Sequence, residues 1–170
     1  MSTVGDSWPA ATDWALADHV CLALVAEGPT HGWALVKTLA VDGPVGRIWS
    51  LSRPLTYRSI ERLASAELVD RTETGRRTRL GVSQAGRALS DRWLVTPVDH
   101  LRDLRTAFLL KLTLCERAGI DPAPLVARQR DRLAPAIAAL TSATPNDAVG
   151  LWRQESAIAA ERFLTRLMSP

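Results

Sequence analysis

The sequence predicts a mainly α-helical protein that carries one small β-hairpin in its first half. Apolar residues recur at helical spacing through most of the 170-residue chain. Two short extended runs flank a glycine-containing turn near the middle, and Thr96-Pro97 then interrupts the helical pattern. We therefore expect an N-terminal arm over residues 1–13, a first domain over residues 14–96 and a second, helical domain over residues 97–170.

Two helices are predicted directly after the arm. The first is Trp14–Ala26, whose apolar residues share one stripe, and Gly28-Pro29 ends it. The second runs from about Gly32 to Val41, and Thr30 is suited to be its N-cap. The next residues, 42–46, are rich in glycine and proline, so they should form a loop.

A third helix is predicted between residues 50 and 68. Ser52 is suited to cap it, and Pro54 fits its first turn, where a missing backbone N–H costs nothing. Ile60 and Leu63 are the anchors that should point into the core. The other side of this helix is polar and rich in arginine, so we expect it to face solvent.

A hairpin and a short helix should follow. The extended runs cover residues 68–73 and 77–82, and Thr74-Gly75-Arg76 is a turn of hairpin length. Gly75 permits the positive φ that such a turn needs. The short helix begins at Ser83, which can cap it, and places Trp93 on its inward face.

Three longer helices are predicted in the second domain. The first covers Val98–Ala118, and Asp121-Pro122 begins the second. Pro135 should bend or interrupt that second helix, because proline removes a backbone hydrogen bond and clashes with the preceding turn. Thr144-Pro145 should begin the third, whose apolar face includes Val149, Trp152, Phe163 and Leu167.

The order of elements in the first domain is that of a winged helix-turn-helix. Such a domain holds one helix in the major groove of DNA while a basic hairpin loop, the wing, reaches the neighbouring backbone. Residues 44–96 contain ten arginines against five acidic residues, although the whole chain has a net charge of only +3. Arginine suits phosphates and guanine edges because its planar fork can donate two hydrogen bonds. The residues expected to contact DNA are Arg53, Thr56, Tyr57, Arg58 and Arg62 of the third helix and Arg76 and Arg77 of the wing.

Four motifs in this domain resemble those of PadR-type transcriptional regulators. Leu22–Trp33 is similar to the family's "LxLLAEGPxHGY" segment, and Leu55–Leu63 to its "TLYPALKRLE" recognition helix. Ala66–Val69 matches "EGLV", and Gly75–Gly86 matches "GRRxxxYxLTxxG". The resemblance implies a DNA-binding transcriptional regulator, and it implies that Tyr57 contacts the sugar-phosphate backbone.

The second domain resembles the C-terminal domain of the virulence-activator branch of the same family, which implies homodimerisation through the C-terminal helices. Long apolar helices also need a partner to cover them. Two winged domains related by a two-fold axis read an inverted-repeat operator. Repression requires only that a promoter be occluded, so we expect a repressor more than an activator.

Catalysis, metal binding and cofactors find no support in the sequence. The chain has two cysteines, Cys21 and Cys115, which cannot form a thiolate metal site by themselves. Its three histidines are scattered, and no phosphate-binding loop, GxSxG or HExxH motif occurs. The N-terminus lacks the pattern of a signal peptide and no apolar run reaches membrane-spanning length, so we expect a cytoplasmic protein, nucleoid-associated when bound to DNA.

Two alternatives remain open. One is a winged helix that binds another protein and not DNA, which salt dependence of binding would distinguish. The other is a regulator that senses a small aromatic effector. Trp14, Trp93 and Trp152 are the candidate ligand-binding residues, although tryptophans at such spacing also suit a plain core.

Overall fold

The computed structural model describes residues 14–75 and 77–169, so the predicted arm lies outside the described residues. The predicted fold class is confirmed: helices dominate, and a small antiparallel sheet lies in the first half. The described residues form two compact units. The N-terminal unit contains residues 14–37 and Leu51–Trp93, and the C-terminal unit contains Thr38–Ser50 and residues 94–169.

The elements of the first half follow the order expected of a winged helix. They are α1 (Leu16–Ala26), β1 (Thr30–His31), α2 (Gly32–Leu39), α3 (Arg53–Ser65), β2 (Val69–Thr74), β3 (Arg77–Val82) and α4 (Gln84–Val95). Helix α1 is buried from Asp18 to Val25 and packs against α3 and β3. Ile60 and Leu63 are buried, as predicted, so α3 is fixed to the core by one face only.

The hairpin forms at the predicted place, but Thr74, which was expected in the turn, is the last residue of β2. Val69 pairs with Val82 and Thr74 with Arg77, which leaves a two-residue loop in which Gly75 has φ +62°. Ser83 precedes α4, and its hydroxyl oxygen accepts a hydrogen bond from the backbone N of Gly86 at 3.0 Å. The predicted cap of α4 is therefore confirmed.

The prediction that Thr30 caps α2 is wrong. Thr30 and His31 form a third strand, β1, which pairs with Leu80 and Arg79 of β3. The sheet order is β1-β3-β2, so β3 is central. The reason is that β3 would otherwise leave an edge of unpaired backbone groups, and the segment between α1 and α2 satisfies them.

The C-terminal unit begins less regularly than predicted. Val98–Ala118 is not one helix: a 3-10 turn at Leu101–Asp103 and a π-helical turn at Leu104–Phe108 precede α5 (Leu109–Ala118). Before these turns, the backbone of Val98 is held by Gln129, which is fully buried. Its Nε2 donates to the backbone O of Val98 at 2.9 Å, and its Oε1 accepts from the backbone N of Val98 at 2.7 Å. The amide of Gln129 therefore pairs with both backbone groups of Val98.

Two long helices complete the C-terminal unit. Helix α6 (Ala123–Ser142) continues through Pro135, so of the two predicted effects, a bend or an interruption, the interruption does not occur. The packing of α6 along α7 (Ala148–Met168) stabilises the helix despite the missing bond. The start of α7 is also later than predicted, because Asp147 Oδ1 accepts from the backbone N of Gly150 at 2.6 Å and caps it there.

Phe108 lies at the centre of the C-terminal core. It is fully buried and meets Phe163 edge to face at 6.4 Å. The other buried apolar residues of this core include Leu104, Leu112, Leu125, Val126, Leu133, Ile137 and Leu164. Among residues 14–75 and 77–169, none of the helices combines the length and the apolar character that crossing a bilayer requires.

Candidate nucleic-acid interface

Helix α3 presents one polar face to solvent. Its buried face consists of Thr56, Ser59, Ile60 and Leu63. Ser52 directly precedes the helix at the N-cap position, but its side chain makes no capping hydrogen bond. Its carbonyl oxygen accepts from both the backbone N of Thr56 at 2.9 Å and the Oγ1 of Thr56 at 3.1 Å. The side chains on the opposite face are therefore held out from the N-terminal unit by a firmly anchored helix.

Thr56, which was expected to contact DNA, lies on the buried face of α3. Its exposed fraction is 0%, and its hydroxyl donates back to the carbonyl of Ser52. Thr56 precedes Ile60 by four residues and Leu63 by seven, so it shares the inward stripe of the helix. That spacing is the sequence signal that identifies Thr56 as a core residue.

Arg53, Tyr57 and Trp33 form an exposed stack at the N-terminal end of α3, which we call the α3 cluster. The guanidinium carbon of Arg53 lies 5.6 Å from the ring centre of Trp33 and 5.8 Å from that of Tyr57. Trp33 is 50% exposed and Tyr57 is 41% exposed. A Cβ on Gly32 would lie 2.7 Å from Cε1 of Tyr57, so the tyrosine ring rests directly on glycine backbone. The cluster combines a positive charge with two aromatic faces that water still reaches.

Arg58 adds a second exposed charge on α3. Within the residues that the structure describes, neither Arg53 nor Arg58 has a salt bridge, and the first turn of the helix contains no acidic side chain. The N-terminus of a helix carries a partial positive charge of its own. Both arginines therefore add to a local field that attracts anions such as phosphate.

Arg62 is engaged within the protein and does not extend freely from α3 as expected. Its Nη1 donates to Oδ2 of Asp18 on α1 at 3.0 Å, and its guanidinium lies 4.9 Å from the ring centre of Trp14. The side chain of Asp18 is only 4% exposed, so the arginine neutralises a buried carboxylate. The side chain of Arg62 is still 51% exposed, and its contact with DNA stays a prediction.

Another potential cation near α3 is also neutralised. Arg71 Nη2 on β2 donates to Oε2 of Glu61 at 2.6 Å. The hydrogen bond and charge of Arg71 lower the pKa of Glu61, whose carboxylate is exposed. The net effect is that the positive field of α3 comes from its N-terminal half, where Arg53 and Arg58 lie.

The predicted wing residues are only partly described. Arg76 lies outside the described residues, as does the side chain of Arg77. The backbone of Arg77 begins β3 and pairs with Thr74. The contacts of both arginines with DNA stay predictions.

The three candidate ligand-binding tryptophans have different surroundings. In the N-terminal unit, Trp93 is buried and stacks on His19 with ring centres 5.0 Å apart, while Trp14 lies beneath Arg62. Trp152 belongs to the C-terminal unit, where it is 73% exposed and borders a cavity. Of these three side chains, that of Trp152 is the most exposed within its own unit, and it is the one that borders a cavity.

Sequence reasoning did not single out Trp33 as a site residue. The available signal was its place at the end of the Leu22–Trp33 motif, directly after Gly32. No set of three or more histidine, cysteine, aspartate or glutamate side chains in the described part of the chain is grouped to hold a metal ion.

Comparison with known proteins gives similar structures only. No family model matches the sequence, and no curated protein matches it. Bacillus subtilis PadR in complex with operator DNA is 15% identical, and the match covers 89% of this chain and 97% of that one with a TM-score of 0.44. The same protein in complex with p-coumaric acid is 14% identical, and the match covers 90% of this chain and 93% of that one with a TM-score of 0.44. A PadR-like transcriptional regulator from Bacillus cereus is 16% identical, and the match covers 89% of this chain and 95% of that one with a TM-score of 0.44. These matches are likenesses of fold that extend over most of the chain.

Proposed function

We propose that this protein is a DNA-binding transcriptional regulator of the PadR type, without catalytic activity, that acts as a homodimer and a repressor. The observation that carries the proposal is the pair of arginines, Arg53 and Arg58, on the solvent face of α3, neither of which is neutralised by a described acidic side chain. The order of helices and strands around α3 supports the same proposal.

The two arginines suit different parts of a DNA site. Arg53 lies in the first turn of α3, beside the free backbone N–H groups, so it is placed to bind a phosphate together with them. Arg58 lies in the middle of the exposed face, where a recognition helix meets base edges. Tyr57 and Trp33 offer aromatic surface to the sugar-phosphate backbone between these contacts.

Dimerisation is proposed from the apolar side chains that α7 leaves exposed near its ends. These are Val149 and Leu151 at the start and Leu167 and Met168 at the end. Exposed apolar side chains on a long helix favour a contact with a second copy of the chain. A dimer also doubles the number of base contacts, which a single winged domain needs in order to stand out from non-specific binding.

The test is selection of bound fragments from a pool of random duplex DNA, with sedimentation of the free protein at micromolar concentration. We expect an enriched inverted repeat and a sedimenting species of two chains. Enrichment of no sequence, together with binding that does not change between low and high salt, would contradict DNA recognition and favour a protein-binding winged helix. Repression is tested by placing the enriched site over a promoter in a purified transcription assay.

A further inference from the structure

The C-terminal unit contains a cavity of about 670 Å³ that the proposed function does not use. Leu101 and Leu109 line it on one side, and Trp152 and Phe163 of α7 line it on the other. All of its lining residues belong to the C-terminal unit. The volume lies within the range of sites that bind small organic molecules, and aromatic and aliphatic side chains are the usual walls of such sites.

The charge at this cavity has one sign. Arg102, Arg105 and Arg153 line it, and no aspartate or glutamate does. Arg102 has Asp103 at 3.9 Å, but Arg105 and Arg153 form no hydrogen bond or ion pair with any residue in the described ranges. Apolar walls with unneutralised guanidinium groups fit a ligand that has an apolar body and an anionic head.

The backbone at the cavity is unusual in a second, independent way. Leu104 and Arg105 reach the cavity from the π-helical turn Leu104–Phe108. Turns of this kind are rare, and they are found frequently at functional sites. The π turn here places Phe108 in the core and Arg105 at the cavity within a single turn.

We propose that this cavity binds a small anionic amphiphile, a molecule with one carboxylate or sulfonate on an apolar body. Arg105 and Arg153 bind the anionic head, and the apolar body packs between Trp152 and Phe163. The site lies wholly within the C-terminal unit. Its occupation is therefore measurable without DNA, and its failure would leave the DNA-binding proposal untouched.

Binding is tested with the fluorescent probe 1-anilinonaphthalene-8-sulfonate, with dodecanoate as the competing ligand. We expect one probe molecule per chain, displacement by dodecanoate, and much weaker displacement by dodecanol, which lacks the charge. Arg105→Gln and Arg153→Gln should each weaken probe binding roughly tenfold, because each removes a charge-assisted hydrogen bond. Arg162→Gln is the matched control, since Arg162 is exposed on the same helix but does not line the cavity.

A second variant separates the cavity from general charge effects. Ala159 lines the cavity and is exposed, so Ala159→Trp should fill it without altering any charge. We expect this variant to keep its far-ultraviolet circular dichroism spectrum and to lose probe binding. Equal probe affinity in the wild type and all three cavity variants would overturn the proposal. Binding that occurs only after dilution to single chains would overturn it too, because the cavity would then belong to the contact between copies.

Discussion

Arg62 and Asp18 connect α3 to the start of α1 through one ion pair, with Nη1 and Oδ2 3.0 Å apart. The same carboxylate oxygen of Asp18 accepts from the backbone N of Ala15 at 3.2 Å, so it also satisfies a free donor at the start of α1. Arg62 is 51% exposed at its side chain, whereas Asp18 is almost fully buried. A residue expected to face DNA therefore stabilises the contact between two helices.

Arg62→Ala should destabilise the protein, because it leaves the buried carboxylate of Asp18 without its cation. We expect a loss of about 2 kcal/mol in the free energy of unfolding, below the range for fully buried pairs because water reaches Arg62. Arg58→Ala on the same helix should change stability by less than about 0.5 kcal/mol and weaken DNA binding instead. Urea denaturation and DNA titration of both variants test this, and the reverse assignment of effects would contradict it.

Gln129→Leu should destabilise the C-terminal unit by about 2 kcal/mol. The leucine fills a similar volume but leaves both the N–H and the carbonyl of Val98 without the amide that now pairs them. Gln154→Leu is the control: its Nε2 donates to the carbonyls of Thr141 and Ala143 near the surface, where water replaces it. Thermal unfolding should separate the two variants, and equal stability of Gln129→Leu and wild type would refute the role assigned to this side chain.

Lys111 should make stability depend on pH in the alkaline range. Burial lowers the pKa of its ammonium group to about 8, while its Nζ donates to the carbonyl of Thr96. Between pH 8 and about 10.4 the unfolded chain holds a proton that the folded chain has released, so this residue's contribution to stability rises with pH.

The Lys111 effect is measured as the difference in unfolding free energy between wild type and Lys111→Met. We expect the unfolding free energy of the wild type to rise relative to that of Lys111→Met between pH 8 and pH 10, by less than about 1.4 kcal/mol per pH unit. Lys37→Met, at an exposed position, should give a difference that stays constant. If the difference in unfolding free energy between wild type and Lys111→Met were also constant with pH, the ammonium group of Lys111 would not be desolvated in the folded protein.

Cys21 and Cys115 should resist alkylation in the folded protein. Both side chains are buried, and burial raises the pKa of the Cys21 thiol to about 12 and raises that of Cys115 as well. Thiolate is the reactive form, so iodoacetamide at pH 8 should label neither residue in native buffer and both in guanidinium chloride. Rapid native labelling of either cysteine, read by mass spectrometry, would contradict the packing described for its helix.

The hairpin and the start of α4 could be predicted because their signals are local. Gly75 marks the turn and Ser83 marks the start of α4 within a few residues of the structure they form. Strand β1 could not be predicted in this way, since Thr30 and His31 become a strand only through pairing with β3, about 50 residues later. The hydrogen bonds that hold Val98 likewise come from Gln129, which is distant in sequence.

The candidate site was predicted at the level of the helix and less well at the level of side chains. The inward face of α3 was recognised from Ile60 and Leu63, but the partner of Arg62 lies 44 residues earlier and no local pattern reveals it. Arg53 and Tyr57 are exposed as expected, while the exposed ring of Trp33 beside them depends on how α2 packs. Spacing along a helix predicts its buried face, and the pairing of charges requires the tertiary structure.

The most direct test of the central claim is the salt dependence of binding to the selected DNA, measured by fluorescence anisotropy for wild type and for Arg53→Ala/Arg58→Ala. We predict that the logarithm of the wild-type association constant falls steeply and linearly with the logarithm of salt concentration. The double variant should bind more weakly, with a slope smaller by about one unit for each bound chain because Arg53 is the residue assigned to a phosphate, while its unfolding free energy stays within about 1 kcal/mol of wild type. An unchanged affinity and an unchanged slope in the double variant would contradict the claim that α3 is the surface that meets DNA.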